Sequence, residues 1–233
     1  IGSAAAAILD NLNVQFELIL VDDHSSDHSY SICQNLALKN KKASVVQLTK
    51  KMGKKEAIKA GVRLAKGDLI LQTDADCQVT KHWISCMVNH YIDDTKLLLG
   101  PVKVSHSKQK WNWFNQIEFG FLQAFTAGFA NLNKPIMANG ANLMYSKRLY
   151  WLYQESKLGA EYASGDDQFL LNYVKGKHHA GITYLKHKDA VVSTIFPSKW
   201  KDMIAQRARW AKKNTASAGF DSIISLMLLS AQF

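Results

Sequence analysis

The chain has 233 residues, 47% of them hydrophobic, which is enough to bury one substantial core; this excludes a disordered chain and suits a single α/β domain. Twenty-nine Lys and Arg against nineteen Asp and Glu leave a net charge of +10, which fits an anionic ligand, nucleic acid or an anionic membrane face without choosing among them. The basic residues fall in small groups, such as Lys50, Lys51, Lys54 and Lys55, and most read as solvated helix faces.

The first helix-like piece, Ala4–Leu12, has no strand before it, so the sheet is expected to lack its opening β-unit. Phe16–Val21, Ser44–Leu48 and Asp68–Thr73 are short β-favouring runs separated by stretches of helical spacing, which predicts a parallel sheet with crossover helices. Between the second and third runs, Ile58, Val62 and Ala65 predict a helix over Gly53–Gly67, closed by Lys66-Gly67. From Trp111 to Leu132 aromatic residues recur every three to four positions around a single charge, Glu118. The spacing predicts a helix packed on the sheet, with a membrane or partner helix as the alternative for its apolar face. No repeat, low-complexity segment or linker is visible, so one domain is expected.

The acids stand where α/β folds gather functional groups, at the carboxyl ends of strands. Asp22 and Asp23 follow the first run, and Asp74 and Asp76 follow the third. Asp74-Ala75-Asp76 places two carboxylates on one side of a turn, a spacing able to hold a hard divalent cation while leaving room for phosphate and water. A turn or an N-cap is the ordinary use of such a pair, and its position after a strand favours the functional one. In Asp22-Asp23-His24-Ser25-Ser26-Asp27, Ser25 and Asp27 suit helix capping, whereas Asp22 and Asp23 suit a ligand. Ser164-Gly165-Asp166-Asp167-Gln168 precedes the apolar run Phe169–Val174; one Asp can cap that helix, which leaves the other free to act as a base. In a helix predicted from Lys199 to Lys213, Gln206, Arg209 and Trp210 share one face and could clamp a diphosphate and stack a sugar ring, although taken in isolation they favour a surface helix with a half-buried Trp.

Cys33, Cys77 and Cys86 form neither a C-x-x-C pair nor an even disulfide set, and no cleavable signal pattern opens the chain, so a reducing, cytosolic setting is expected. The apolar stretch Ile223–Leu229 is too short to span a bilayer. Residues 1–215 are read as the catalytic domain, and 216–233 as an amphipathic helix or the start of a membrane segment.

In order, VDDHSSD, TDADC, SGDDQ and QRARW make the chain resemble family 2 inverting glycosyltransferases of the processive membrane type, such as cellulose, chitin, hyaluronan and poly-N-acetylglucosamine synthases. KKMGKKEAIKAGVRLAKGD and ANGANLMY are also similar to segments of that family. The resemblance implies a GT-A nucleotide-diphospho-sugar transferase fold, mostly parallel, with the first strand missing from this chain. It assigns Asp22, Asp23, Lys54 and Asp74 to the donor nucleotide, and Asp76 with Asp74 to Mg²⁺ or Mn²⁺. Asp167, with Asp166 before it, takes the catalytic base position. Gln206, Arg209 and Trp210, with Asn139, Gly140, Ala141 and Asn142, border the acceptor and diphosphate. Where the family has Glu-Asp, this chain has Asp166-Asp167, as in the hyaluronan and chitin synthase branch.

The implied reaction moves a sugar from a nucleotide diphosphate, with UDP expected, to a hydroxyl of a growing polysaccharide at the cytoplasmic face of the membrane. Transfer of a single sugar to a lipid acceptor is the alternative. From a different class, a Mg²⁺-dependent nuclease or nucleic-acid-binding protein would also explain the charge, but not acid pairs placed after strands, so no nucleic-acid partner is expected.

Overall fold

The computed structural model describes residues 1–92, 94–105, 112–162, 164–177, 181–195, 204–206 and 208. Helix α1 (Gly2–Leu9) buries Ala4, Ala5 and Ile8. Its run of four alanines has the highest intrinsic helix propensity and lets neighbouring elements approach closely. Asn11 then links two helices: its amide donates to the carbonyls of Ala7 and Thr80, and its Oδ1 accepts from the Ile84 N–H at 2.8 Å.

Strand β1 (Leu18–Asp22) crosses through α2 (Ser29–Lys39) to β2 (Ala43–Gln47), and the two strands pair in parallel. Asp27, expected to cap α2, stands one residue before the N-cap His28, which makes no side-chain cap bond, and accepts from the Ser29 N–H at 2.9 Å. Helix α3 (Lys54–Leu64) leads to β3 (Leu69–Gln72). The helix closes at Ala65, one residue before the expected Lys66-Gly67 signal. The reason is tertiary: Glu17 Oε1 accepts from the backbone N–H groups of both Lys66 and Gly67, which fixes the turn from a distant part of the chain.

The alternation of strand and helix is present as predicted, but β3 leaves the first two strands and joins a second sheet. After α4 (Trp83–Asn89) come β4 (Leu97–Leu99), β5 (Val102–Val104) and α5 (Asn112–Asn131), then β6 (Leu143–Ser146). Strand β6 lies antiparallel between β3 and β4, and β7 (Ile182–Tyr184) pairs in parallel with β4. Strand β5 pairs in parallel with β8 (Val192–Thr194). Among the described residues, three of the five strand pairings are therefore parallel. Leu97, Leu98, Leu99, Leu143, Met144 and Tyr145 are all buried, because both faces of this central sheet are covered.

Helices α6 (Lys147–Glu155) and α7 (Asp166–Lys177) close one face, where Tyr150, Tyr153, Phe169, Leu170 and Leu171 pack against Leu97, Leu143 and Tyr145. Trp83, Met87, Leu98, Phe119 and Leu122 fill the other. No helix among the described residues is long and apolar enough to cross a membrane. The apolar run Ile223–Leu229 and the whole of 216–233 lie outside the described residues. So do most of the expected Lys199–Lys213 helix, Arg209 and Trp210, although 204–206 and 208 are helical.

Candidate active site

Asp74 and Asp76 leave the end of β3, and Lys54, the first residue of α3, forms an ion pair with Asp74. Burial penalises the Lys54 ammonium, but the carboxylates of Asp74 and Asp167 outweigh that cost and hold its pKa above the ordinary lysine value. Asp167, in the first turn of α7, accepts the Gly140 N–H at 3.0 Å. A side chain at Gly140 would stand 2.8 Å from Gln72 Nε2, 3.4 Å from Asp167 Oδ2 and 3.6 Å from Lys54 Nζ, so the backbone itself must approach these groups. Four parts of the chain thus meet at one cleft of about 200 Å³.

That cleft is lined by Lys54, Asp74, Asp76 and Asp167, by Asn139, Gly140 and Ala141, and by Gln206. The Gln206 Oε1 is buried with no hydrogen-bond partner among the described residues, which leaves an acceptor available to a ligand. The opposite wall comes from the inner face of α5 through Phe119, Leu122, Gln123 and Thr126. Helical spacing in the sequence foretold α5 but could not say which face would line a cavity. Gln72 was also missed: it donates to the Gly140 carbonyl at 3.1 Å and accepts from Tyr145 Oη at 3.0 Å, and it read as an ordinary strand residue.

Several expected ligand residues make hydrogen bonds within the fold. Asp22 is buried and accepts Gln47 Nε2 at 2.9 Å and the Ser25 N–H. Its burial penalty is outweighed by the Ser25 and Gln47 hydrogen bonds, which hold its carboxyl below the ordinary range. Asp23 accepts the N–H groups of Met52 and Gly53 at 2.6 and 2.7 Å, clasping the turn before α3. Neither lines the cleft. Asn142 is also away from it: its amide donates to the carbonyls of Pro101 and Ala190 at 2.9 and 2.7 Å, and its Oδ1 accepts Trp83 Nε1 at 3.0 Å.

The adjacent pair Asp166-Asp167 divides. Asp166, expected beside the catalytic base, turns from the cleft into the tyrosine cluster, where Tyr153 Oη donates at 2.7 Å and Tyr150 Oη at 3.4 Å. Burial, against the opposing pull of the Tyr153 hydrogen bond, pushes its pKa above the ordinary carboxylate value. Asp166 is therefore a packing residue, and Asp167 alone of the two faces the cleft.

The donor set suits a hard divalent cation. Asp76 is exposed at the cleft, and among the described residues its hydrogen-bond contact is the weak Cys77 Sγ donor at 3.8 Å. No group of three or more His, Cys, Asp or Glu able to hold a metal occurs among the described residues. One or two carboxylates would bind, with diphosphate oxygens and water completing the shell, as Mg²⁺ typically arranges.

The fold and the cleft define a mixed α/β domain with acidic residues at strand and helix ends and the Lys54 ammonium among them. Residues 3–153 match the family described as Glycosyl transferase family 2, and the chain belongs to that family. Its relatives include the undecaprenyl-phosphate 4-deoxy-4-formamido-L-arabinose transferase of Edwardsiella ictaluri, 40% identical over 73 residues, which are 31% of this chain and 22% of that protein. The dolichyl-phosphate beta-glucosyltransferase ALG5C of Trichomonas vaginalis is 37% identical over 67 residues, 29% of this chain and 20% of that protein. The matched regions thus span about a fifth of these relatives' lengths. Both are named for transfer to a polyprenyl phosphate, which departs from the processive synthases that the motifs resemble. In structure the chain is similar to the mannosyltransferase PcManGT of Pyrobaculum calidifontis, solved with GDP-Man and Mn²⁺, at a TM-score of 0.68 and 17% identity over 98% of this chain and 68% of that one. That likeness establishes the GT-A-type fold.

Proposed function

We propose that this chain transfers a single sugar from a nucleoside-diphosphate sugar to a lipid phosphate at the cytoplasmic face of a membrane. The observation that carries the reading is the meeting of Lys54, Asp74, Asp76 and Asp167 in one cleft. The acceptor class is supported by the two relatives named for polyprenyl phosphates. In this reading residues 1–215 form the catalytic domain and 216–233 an amphipathic or membrane-proximal segment.

The acceptor oxygen attacks the anomeric carbon as the bond to the diphosphate breaks, and the electron pair leaves on the nucleoside diphosphate. Lys54, held charged by Asp74 and Asp167, offsets negative charge at the mouth of the cleft. Gly140 holds the Asp167 carboxylate in place, and Gln206 Oε1 is free to accept a sugar hydroxyl. Asp76, with Asp74 beside it, would hold Mg²⁺ or Mn²⁺, which supplies charge neutralisation for the diphosphate. Asp22 and Asp23 shape the strand-end loops around the nucleotide, while Arg209 and Trp210 remain candidates for the diphosphate side.

A second reading, transfer to a polysaccharide hydroxyl, is favoured by Asp167, because a hydroxyl needs a base and this carboxylate faces the cleft. The test is nucleoside-diphosphate release from UDP- and GDP-sugars with Mn²⁺, offered undecaprenyl phosphate, dolichyl phosphate or an oligosaccharide. Release that requires a lipid phosphate supports the proposal. Release that requires the oligosaccharide replaces it with the second reading, and release with no acceptor dependence overturns both.

A further inference from the structure

Helix α5 has two faces of opposite use. Its inner side, Phe119, Leu122 and Thr126, is buried and lines the cleft. On the outer side Trp113, Ile117, Phe121 and Phe125 follow at intervals of four, and Leu132 continues the stripe just beyond the helix end. These side chains are 60%, 52%, 63%, 40% and 67% exposed. Twenty helical residues extend about 30 Å, so the stripe runs the length of the domain's wall. The one ionisable side chain of α5 is Glu118, and it is buried.

We infer that the outer face of α5 is a docking surface for an anionic lipid bilayer, which it holds against the wall of the cleft. Large exposed apolar patches mark interaction sites, and an aromatic-aliphatic helix face without charge suits the boundary between headgroups and acyl chains. Charge complementarity selects the lipid: exposed Lys134 stands two residues beyond Leu132 at the far end of the stripe, and the chain carries +10. The inference rests on the lipid-phosphate reading above, since a polyprenyl chain stays in the bilayer and its phosphate must reach the cleft from there. One helix, about 10 Å across, separates the two surfaces.

The test floats the purified chain with phosphatidylcholine vesicles, with and without phosphatidylglycerol, at low and high salt. Wild type is expected to float with the phosphatidylglycerol vesicles, and less so in high salt. An Ile117→Glu, Phe121→Glu double variant is expected to lose about tenfold or more in apparent affinity, since each substitution withdraws a large apolar side chain from the bilayer. Leu132→Asp at the far end of the stripe is expected to lose binding in the same direction, whereas Leu38→Glu, on exposed α2 surface, is expected to bind as wild type does. Flotation unchanged in the stripe variants overturns the inference. So does a wild-type dimer that the double variant converts to monomer with vesicle binding intact, which would assign the stripe to a second copy. Transfer to a short, water-soluble polyprenyl phosphate, measured on the same variants, separates the two proposals: flotation without such transfer defeats the acceptor class and leaves the docking surface standing.

Discussion

The N–H of Gly140 donates to Asp167 Oδ2 at 3.0 Å, tying the turn before β6 to the first turn of α7 across 27 residues of sequence. The same turn is held from below by Gln72, which donates to the Gly140 carbonyl. The carboxylate that faces the cleft is therefore oriented by backbone N–H groups, those of Gly140 and Gln168.

Asp167→Asn separates the two acceptor classes. A lipid phosphate, with its second pKa near about 6, reaches the cleft already deprotonated and needs no base. With undecaprenyl phosphate the variant is expected to lose less than about tenfold in turnover, whereas with a hydroxyl acceptor the loss is expected at about 10²–10⁴-fold. Initial rates of nucleoside-diphosphate release with each acceptor read the difference.

Asp76→Asn is expected to lower turnover by about 10²–10³-fold, the scale for removing one preorganised electrostatic contact. The folded state is expected to be unaffected, because Asp76 is exposed and its hydrogen-bond contact among the described residues is the weak one with Cys77 Sγ. Chelation by EDTA is expected to abolish wild-type turnover and Mn²⁺ to restore it, with the variant needing more Mn²⁺ for half its maximal rate.

Asp166 sets a pH dependence of stability. Its folded pKa is raised by burial, so the folded state binds this proton more tightly than the unfolded state does. Stability from this group is full below the unfolded pKa near 3.8 and is lost as pH rises through the folded value. Asp166→Asn removes the buried charge while keeping an acceptor for Tyr153, and it is expected to flatten that decline and leave stability at neutral pH equal or higher. Asp166→Ala leaves the Tyr153 hydroxyl unpaired and is expected to cost about 1–3 kcal/mol. Urea unfolding at a series of pH values measures both.

Asn142 joins Trp83, Pro101 and Ala190, and a side chain at Gly100 would stand 2.3 Å from its amide. Asn142→Ala removes the partner of the Trp83 indole N–H and of the Ala190 carbonyl, while the Pro101 carbonyl keeps the Val192 N–H, and is expected to destabilise by about 3 kcal/mol. Gly100→Ala is expected to cost about 1–3 kcal/mol through overpacking. Both appear as a lower urea midpoint, with the remaining folded enzyme keeping its KM for donor.

The amino-acid sequence by itself determined the alternation of strands and helices, the placing of acids at strand ends and the long apolar helix, because each is written in local periodicity. β1, β2, β3 and α5 stand within one or two residues of where spacing put them. Which strand pairs with which was decided in three dimensions: β3 found β6, 74 positions further along, since hydrogen-bonding capacity in a strand carries no address. The acids show the same limit. Asp166 and Asp167 are neighbours in sequence, but successive residues on a helix point about 100° apart, so one entered a tyrosine-lined core and the other the cleft. Asp22 and Asn142 carry ligand-like chemistry but are buried, and the fold gives each hydrogen-bond partners because a buried polar group must be satisfied wherever the fold brings it, while the half-buried Asp23 holds the turn before α3.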